Sequence, residues 1–134
     1  MIGFVGVLGT GGFLADYIIR ETARQHMKNP KWPPHAKFHN AQTILLGVGL
    51  GGVTLILICS PCGSSISGLL EAGCTASLYW LSMLLAPIFP GSAWSDPEFR
   101  GATHRVYGMH PQQFLAICAM IMVIVALFMG SATK

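Results

Sequence analysis

Four apolar stretches, almost free of charge, dominate this chain and limit what it can fold into. The first runs from Ile2 to Ile19 and is broken only by Asp16. The second runs from Ala41 to Cys59 with no charge. The third runs from Ile66 to Phe89, with Glu71 as its only charge, and the fourth from Phe114 to Gly130 with none. Each holds about 17–24 residues, and about 20 suffice to cross the hydrocarbon of a bilayer as a helix. The rival arrangement, four buried helices of a soluble bundle, needs a polar face on each helix. These stretches have none. Only 10% of residues are charged, against roughly a quarter in a soluble domain, too few to cover a water-facing surface. A mean hydropathy of +0.57 also excludes a disordered chain. The expectation is an all-α polytopic membrane protein: one domain over residues 1–134, with four transmembrane helices (2–19, 41–59, 66–89, 114–130) in a compact bundle.

A cleaved signal peptide is the other reading of the first stretch. It wants Lys or Arg ahead of the apolar run, and nothing positive precedes Ile2. Asp16 and Arg20-Glu21 fit a retained helix better. Seven of the eight basic residues, Arg20, Arg24, Lys28, Lys31, Lys37, Arg100 and Arg105, fall in the first and third inter-helix loops. The positive-inside rule puts those loops in the cytoplasm and both termini in the lumen or outside. The expected location is the endoplasmic reticulum membrane. The net charge of +3 is then topological, and no nucleic-acid partner is expected.

Glycines crowd the first two helices: Gly3, Gly6, Gly9, Gly11 and Gly12, then Gly47, Gly49, Gly51 and Gly52. Small residues let helix backbones approach closely in lipid. They are expected to be packing surfaces, within the chain or in a homo-oligomer. A nucleotide reading of Gly9-Thr10-Gly11-Gly12 lacks the strand it needs.

The densest polar signal is the run from Lys31 to Thr43. Proline suits a first helical turn, so the second helix is expected to start near Pro34. His35, His39 and Gln42 then fall within about 60° of one another, as a polar stripe entering the membrane. Asn40 lies off that stripe, toward another helix. Polar groups at membrane depth are costly unless paired or lining a cavity. Asp16 sits at a similar depth, and a carboxylate beside an imidazole is a common acid/base device. The expected catalytic residues are Asp16, His35 and His39, with Asn40, Gln42, Glu71 and Trp32 binding substrate. The plainer reading is an interhelical clasp of Asp16, His39 and Gln42.

Zinc is a further reading of two histidines four apart. It needs a third ligand, which only Asp16, His104 or His110 can supply through tertiary folding, and the HExxH pattern is absent. No metal or cofactor is expected. Glu71 sits about 7 Å inside the third helix and shares a face with Ser67, Cys74, Thr75 and Ser82: a pocket wall, or a protonated carboxyl bonded to its neighbours. Cys59-Ser60-Pro61-Cys62 can close a small disulfide in an oxidising lumen, or simply pack in a tight hairpin. Trp32 and Trp94 suit the membrane interface.

The runs Thr10-Gly11-Gly12-Phe13-Leu14-Ala15-Asp16 and Asn29-Pro30-Lys31-Trp32-Pro33-Pro34-His35-Ala36-Lys37-Phe38-His39-Asn40-Ala41-Gln42 resemble a family of small four-span fungal membrane proteins. The resemblance is clearest over residues 10 to 43. It is similar to proteins encoded beside fungal polyketide and terpenoid synthases, where small polytopic proteins act as cyclases, isomerases or epoxide hydrolases. It implies a site at Asp16, His35, His39, Asn40 and Gln42. The chain departs from the pattern at Tyr17-Ile18-Ile19-Arg20, where family members carry a further polar cluster.

Three functions follow as expectations. The first is a membrane enzyme acting on a hydrophobic secondary metabolite by isomerisation, cyclisation or epoxide hydrolysis, with a lipophilic small molecule and membrane lipids as partners. The second is a non-catalytic scaffold, lipid-binding or assembly subunit. The third is a transporter, for which one short chain lacks the two-repeat layout.

Overall fold

The computed structural model describes residues 1–99, 101 and 104–132. Among these the chain is helical, with no strand beyond an isolated bridge between Val106 and Met109. The N-terminal apolar segment is built in pieces: α1 (Ile2–Leu8), α2 (Gly11–Phe13) and a single π turn over Leu14–Ile18. A short α3 (Arg20–Ala23) follows. Three long helices complete the chain: α4 (Pro34–Cys59), α5 (Ile66–Leu85) and α6 (Pro111–Ala132).

Prolines punctuate these helices. Proline at a first helical position costs no hydrogen bond, because that N–H has no helical partner. Pro34 opens α4 after the extended Pro33, and Pro111 opens α6. The residue before a proline is pushed out of the helical region, so α4 stops at Ser60, ahead of Pro61. Ser65 restarts the helix: its hydroxyl accepts the Gly68 N–H at 3.0 Å, a standard N-cap.

Three segments are long and apolar enough to cross a membrane: Pro34–Cys59, Ile66–Ile88 and Pro111–Ala132. The Ile2–Ile18 segment is a shorter apolar helix. At about 1.5 Å per residue it reaches about 26 Å, just under the hydrocarbon thickness. The second helix starts earlier than its apolar run, at Pro34. The surface is apolar: Leu45 and Ile56 on α4 are 70% exposed, and Phe128 on α6 is 73% exposed. Such a surface is unfavourable in water and at rest in lipid, as in an integral membrane protein.

The core is made of small side chains. Ala72 and Ala76 on α5 meet Ala116 and Ala119 on α6, around the buried Val5 and Trp80. The Trp80 indole N–H donates to the Val5 carbonyl at 3.2 Å, tying α5 to α1. Glycines set the fit of the N-terminal helix on α4. A Cβ on Gly47 would stand 2.5 Å from the Gly9 carbonyl oxygen, and one on Gly51 would stand 2.7 Å from that of Gly6. The GxxxG pair therefore serves packing inside this chain. Gly49 and Gly52 face outward, and a Cβ on either would meet no atom within 4 Å.

Candidate functional site

Asp16 lies in the middle of the π turn. There the Ile19 N–H reaches back five residues to the Leu14 carbonyl at 2.8 Å. A π turn inserts one extra residue per turn and re-aims side chains, and such turns are frequent at functional sites. Ile19 is extended (φ −68°, ψ 117°), so the chain reverses before α3. The Thr22 hydroxyl secures the reversal by donating to the Ala15 carbonyl. The next turn is closed by the His26 and Lys28 N–H groups, both bonded to the Ala23 carbonyl.

That back-fold brings His26 onto Asp16. The imidazole Nδ1 is 2.9 Å from Asp16 Oδ1 and 3.1 Å from the Thr22 carbonyl oxygen. Both partners only accept, so Nδ1 carries the hydrogen. In the neutral ring this leaves Nε2 with a free lone pair. The carboxylate thus fixes both tautomer and orientation, as an acid/base pair requires. Trp32 packs edge-on against the same ring, with centroids 5.6 Å apart. Burial is the largest single influence on His26 and opposes its charged form. The Asp16 hydrogen bond and charge, the Thr22 carbonyl and the Asp96 charge together outweigh it, and hold the pKa above the ordinary 6.5.

Two cavities meet at this pair. The inner one, about 290 Å³, lies at membrane depth and includes Asp16, Thr43, Tyr79, Trp80, Gln112 and Leu115 in its wall. The outer one, about 240 Å³, lies under the loops and is lined by Thr22, Gln25, His26, His110 and Gln112 among others. Asp16 faces the first and His26 the second. Gln112, in the first turn of α6, belongs to both.

Of the other expected site residues, Trp32 joins the pair and the rest lie elsewhere. His35, His39 and Gln42 form the stripe expected of them, on the exposed face of α4. The two imidazole Nε2 atoms are 3.1 Å apart, and His39 Nδ1 is 3.3 Å from Gln42 Oε1. Since an amide oxygen only accepts, His39 donates to Gln42 and His35 donates to His39. The expected Asp16–His39 pairing is replaced by Asp16–His26, because the back-fold offers a nearer imidazole. Asn40 turns inward as expected, and its Nδ2 is buried without a partner. Glu71, Ser67, Cys74 and Ser82 are exposed on the outside of α5, away from both cavities. Cys59 and Cys62 carry free thiols. Among the described residues no three His, Cys, Asp or Glu side chains cluster as a metal site.

Sequence reasoning missed His26, Tyr79, Gln112 and the part played by His110. The available signal for His26 was an imidazole on the short segment that follows the only charge of the first apolar helix.

The profile of a family of unknown function, DUF6640, matches residues 1–129. The chain belongs to that family. The match covers nearly the whole chain, including every residue lining the two cavities. No curated protein and no solved structure matches it.

Proposed function

We propose that this DUF6640 member is a membrane enzyme that moves protons on a lipophilic small molecule held in the inner cavity. The observation that carries the reading is the 2.9 Å Asp16–His26 contact at the junction of the two cavities. Asp16 offers its second carboxylate oxygen to the membrane side. His26 orients that carboxylate and exchanges protons on the loop side through Nε2. General acid/base catalysis of this kind is worth about 10²–10⁴ in rate. Isomerisation, cyclisation and epoxide hydrolysis all use such a pair.

The same reading takes the Ile2–Ile18 segment as a fourth span, completing a four-helix bundle. It places the basic loops and the His26 side of the site in the cytoplasm, at the endoplasmic reticulum. It takes the substrate to be a hydrophobic fungal secondary metabolite. A homo-oligomeric assembly subunit is the second reading, favoured by the outward Gly49 and Gly52, at which a Cβ would meet no described atom within 4 Å.

The test is an untargeted metabolite comparison in a fungal or yeast host, with wild type, Asp16→Asn and empty vector. The enzyme reading expects a wild-type product that is absent from Asp16→Asn at equal membrane level. The same metabolites in wild type and empty vector would refute it.

A further inference from the structure

Two glycines on different helices, Gly12 and Gly47, make room for the Tyr79 side chain, and Gly9 lies in contact with its ring. A Cβ on Gly9 would contact the Tyr79 ring at 3.7 Å, and one on Gly47 would crowd it at 3.1 Å. A Cβ on Gly12 would stand 2.8 Å from the Tyr79 hydroxyl oxygen. Asp16 follows Gly12 by one turn, and Tyr79 and Asp16 share the wall of the inner cavity. Tyr79 is about 13 Å from the Ile88 end of its segment, well inside a helix long and apolar enough to cross a membrane. Trp80 beside it has its N–H bonded to Val5. Among the described residues the Tyr79 hydroxyl has no such partner. A polar group left unpaired at this depth costs free energy, so packing alone favours phenylalanine here. Its hydroxyl is free to donate to something in the cavity.

The cavity wall thus carries both a donor and a carboxylate. That combination suits proton removal beside a carbonyl: the base takes a C–H proton while the donor stabilises charge growing on oxygen. Resting on the acid/base reading above, we infer that the substrate is a lipophilic β,γ-unsaturated ketone with an enolisable C–H between its carbonyl and its carbon–carbon double bond. The Tyr79 hydroxyl binds its carbonyl oxygen, and Asp16 moves a proton from one of its carbons to another.

The step balances without a co-reactant. The C–H bond next to the carbonyl breaks, and its proton passes to Asp16. Its electron pair forms a carbon–carbon double bond, and the carbonyl π electrons move onto the oxygen that Tyr79 holds. The enolate then takes a proton from Asp16 at another conjugated carbon. The product is an isomer of the substrate, and nothing is oxidised or reduced.

The experiment compares wild type with Asp16→Asn, Tyr79→Phe and Gly12→Ala, all at equal membrane level, in cells supplied with ¹⁸O-labelled water. Tyr79→Phe removes only an atom with no partner, so packing is kept. Gly12→Ala leaves the hydroxyl in place chemically and displaces it. The inference expects a carbonyl-containing product isomeric with its precursor. It expects product formation to fall about 10²–10³-fold in Tyr79→Phe, the usual loss for one oxyanion donor, and to fall in Gly12→Ala as well. Full activity in both variants, with none in Asp16→Asn, would overturn the role of Tyr79 and leave the acid/base reading standing. A product heavier by one labelled water would overturn the isomerisation and point to hydrolysis. No product in wild type would overturn both readings.

Discussion

Replacing Asp16 by asparagine removes a charge while keeping a side chain of the same shape and a carbonyl oxygen for His26 to donate to. The Asp16 and His26 side chains are 19% and 24% exposed. An exposed ion pair is worth about 0.2–1 kcal/mol, and a hydrogen bond to a buried charge about 1.5–3 kcal/mol. A pair this exposed sits between them, at about 1–2 kcal/mol. The pH dependence follows from the raised pKa of His26. A group whose pKa is raised on folding contributes stability that is complete below its unfolded value and is lost as pH rises through the folded value. The gap between wild type and Asp16→Asn should therefore be widest below about pH 6.5. It should narrow as pH climbs past the folded pKa of His26. Asp96 and His110 also face this ring's surroundings, and His110 lines the same outer cavity. The background slope therefore comes from a His26→Gln control. The assay is thermal unfolding of the purified protein in detergent from about pH 5.5 to about pH 8.5, on either side of the ordinary imidazole value. A gap that is constant with pH, or widest at the alkaline end, would refute the reasoning.

Gly47→Ala should lower stability by about 1–3 kcal/mol, because its Cβ meets the Gly9 carbonyl at 2.5 Å and α1 must shift. Gly49→Ala, facing open space, should be neutral or slightly stabilising, and thermal unfolding in detergent compares the two directly. Trp80→Phe should cost about 1–3 kcal/mol by the same measurement, since it removes the indole hydrogen bond to the Val5 carbonyl and leaves a void. His26→Gln should lower product formation less than Asp16→Asn does and move its pH profile, as suits a group that positions and recharges the carboxylate.

The three long spans were legible because hydropathy and length are local properties, whereas the first segment proved shorter and broken. Charge-free runs of about 20 residues have few folded outcomes, and prolines and Ser65 mark where the long helices begin and end. The role of Gly47 and Gly51 was legible as packing, though not their partner, since Gly6 and Gly9 are chosen by the approach of two helices. The site was legible only at Asp16, the lone charge in its helix, and at Trp32. Regular helical spacing turns Asp16 away from everything in the following loop. The π turn and the extended Ile19 break that geometry, and neither leaves a mark in composition. His35 and His39 stood out because their four-residue spacing is easy to read, and they do meet each other. What spacing cannot show is which face of α4 the remaining helices cover, and they cover Asn40, Ile44 and Gly47. Tyr79 was hidden for the same reason: the glycines that seat it lie on helices far from it in sequence.

His26, and not His39, partners the Asp16 carboxylate. The most direct test is a pair of single substitutions, His26→Gln and His39→Gln, compared for metabolite formation at equal membrane level. A clear loss of product is predicted in the first and wild-type output in the second. Full output from His26→Gln, with the product lost in His39→Gln, would contradict the claim and return the chemistry to the stripe on α4.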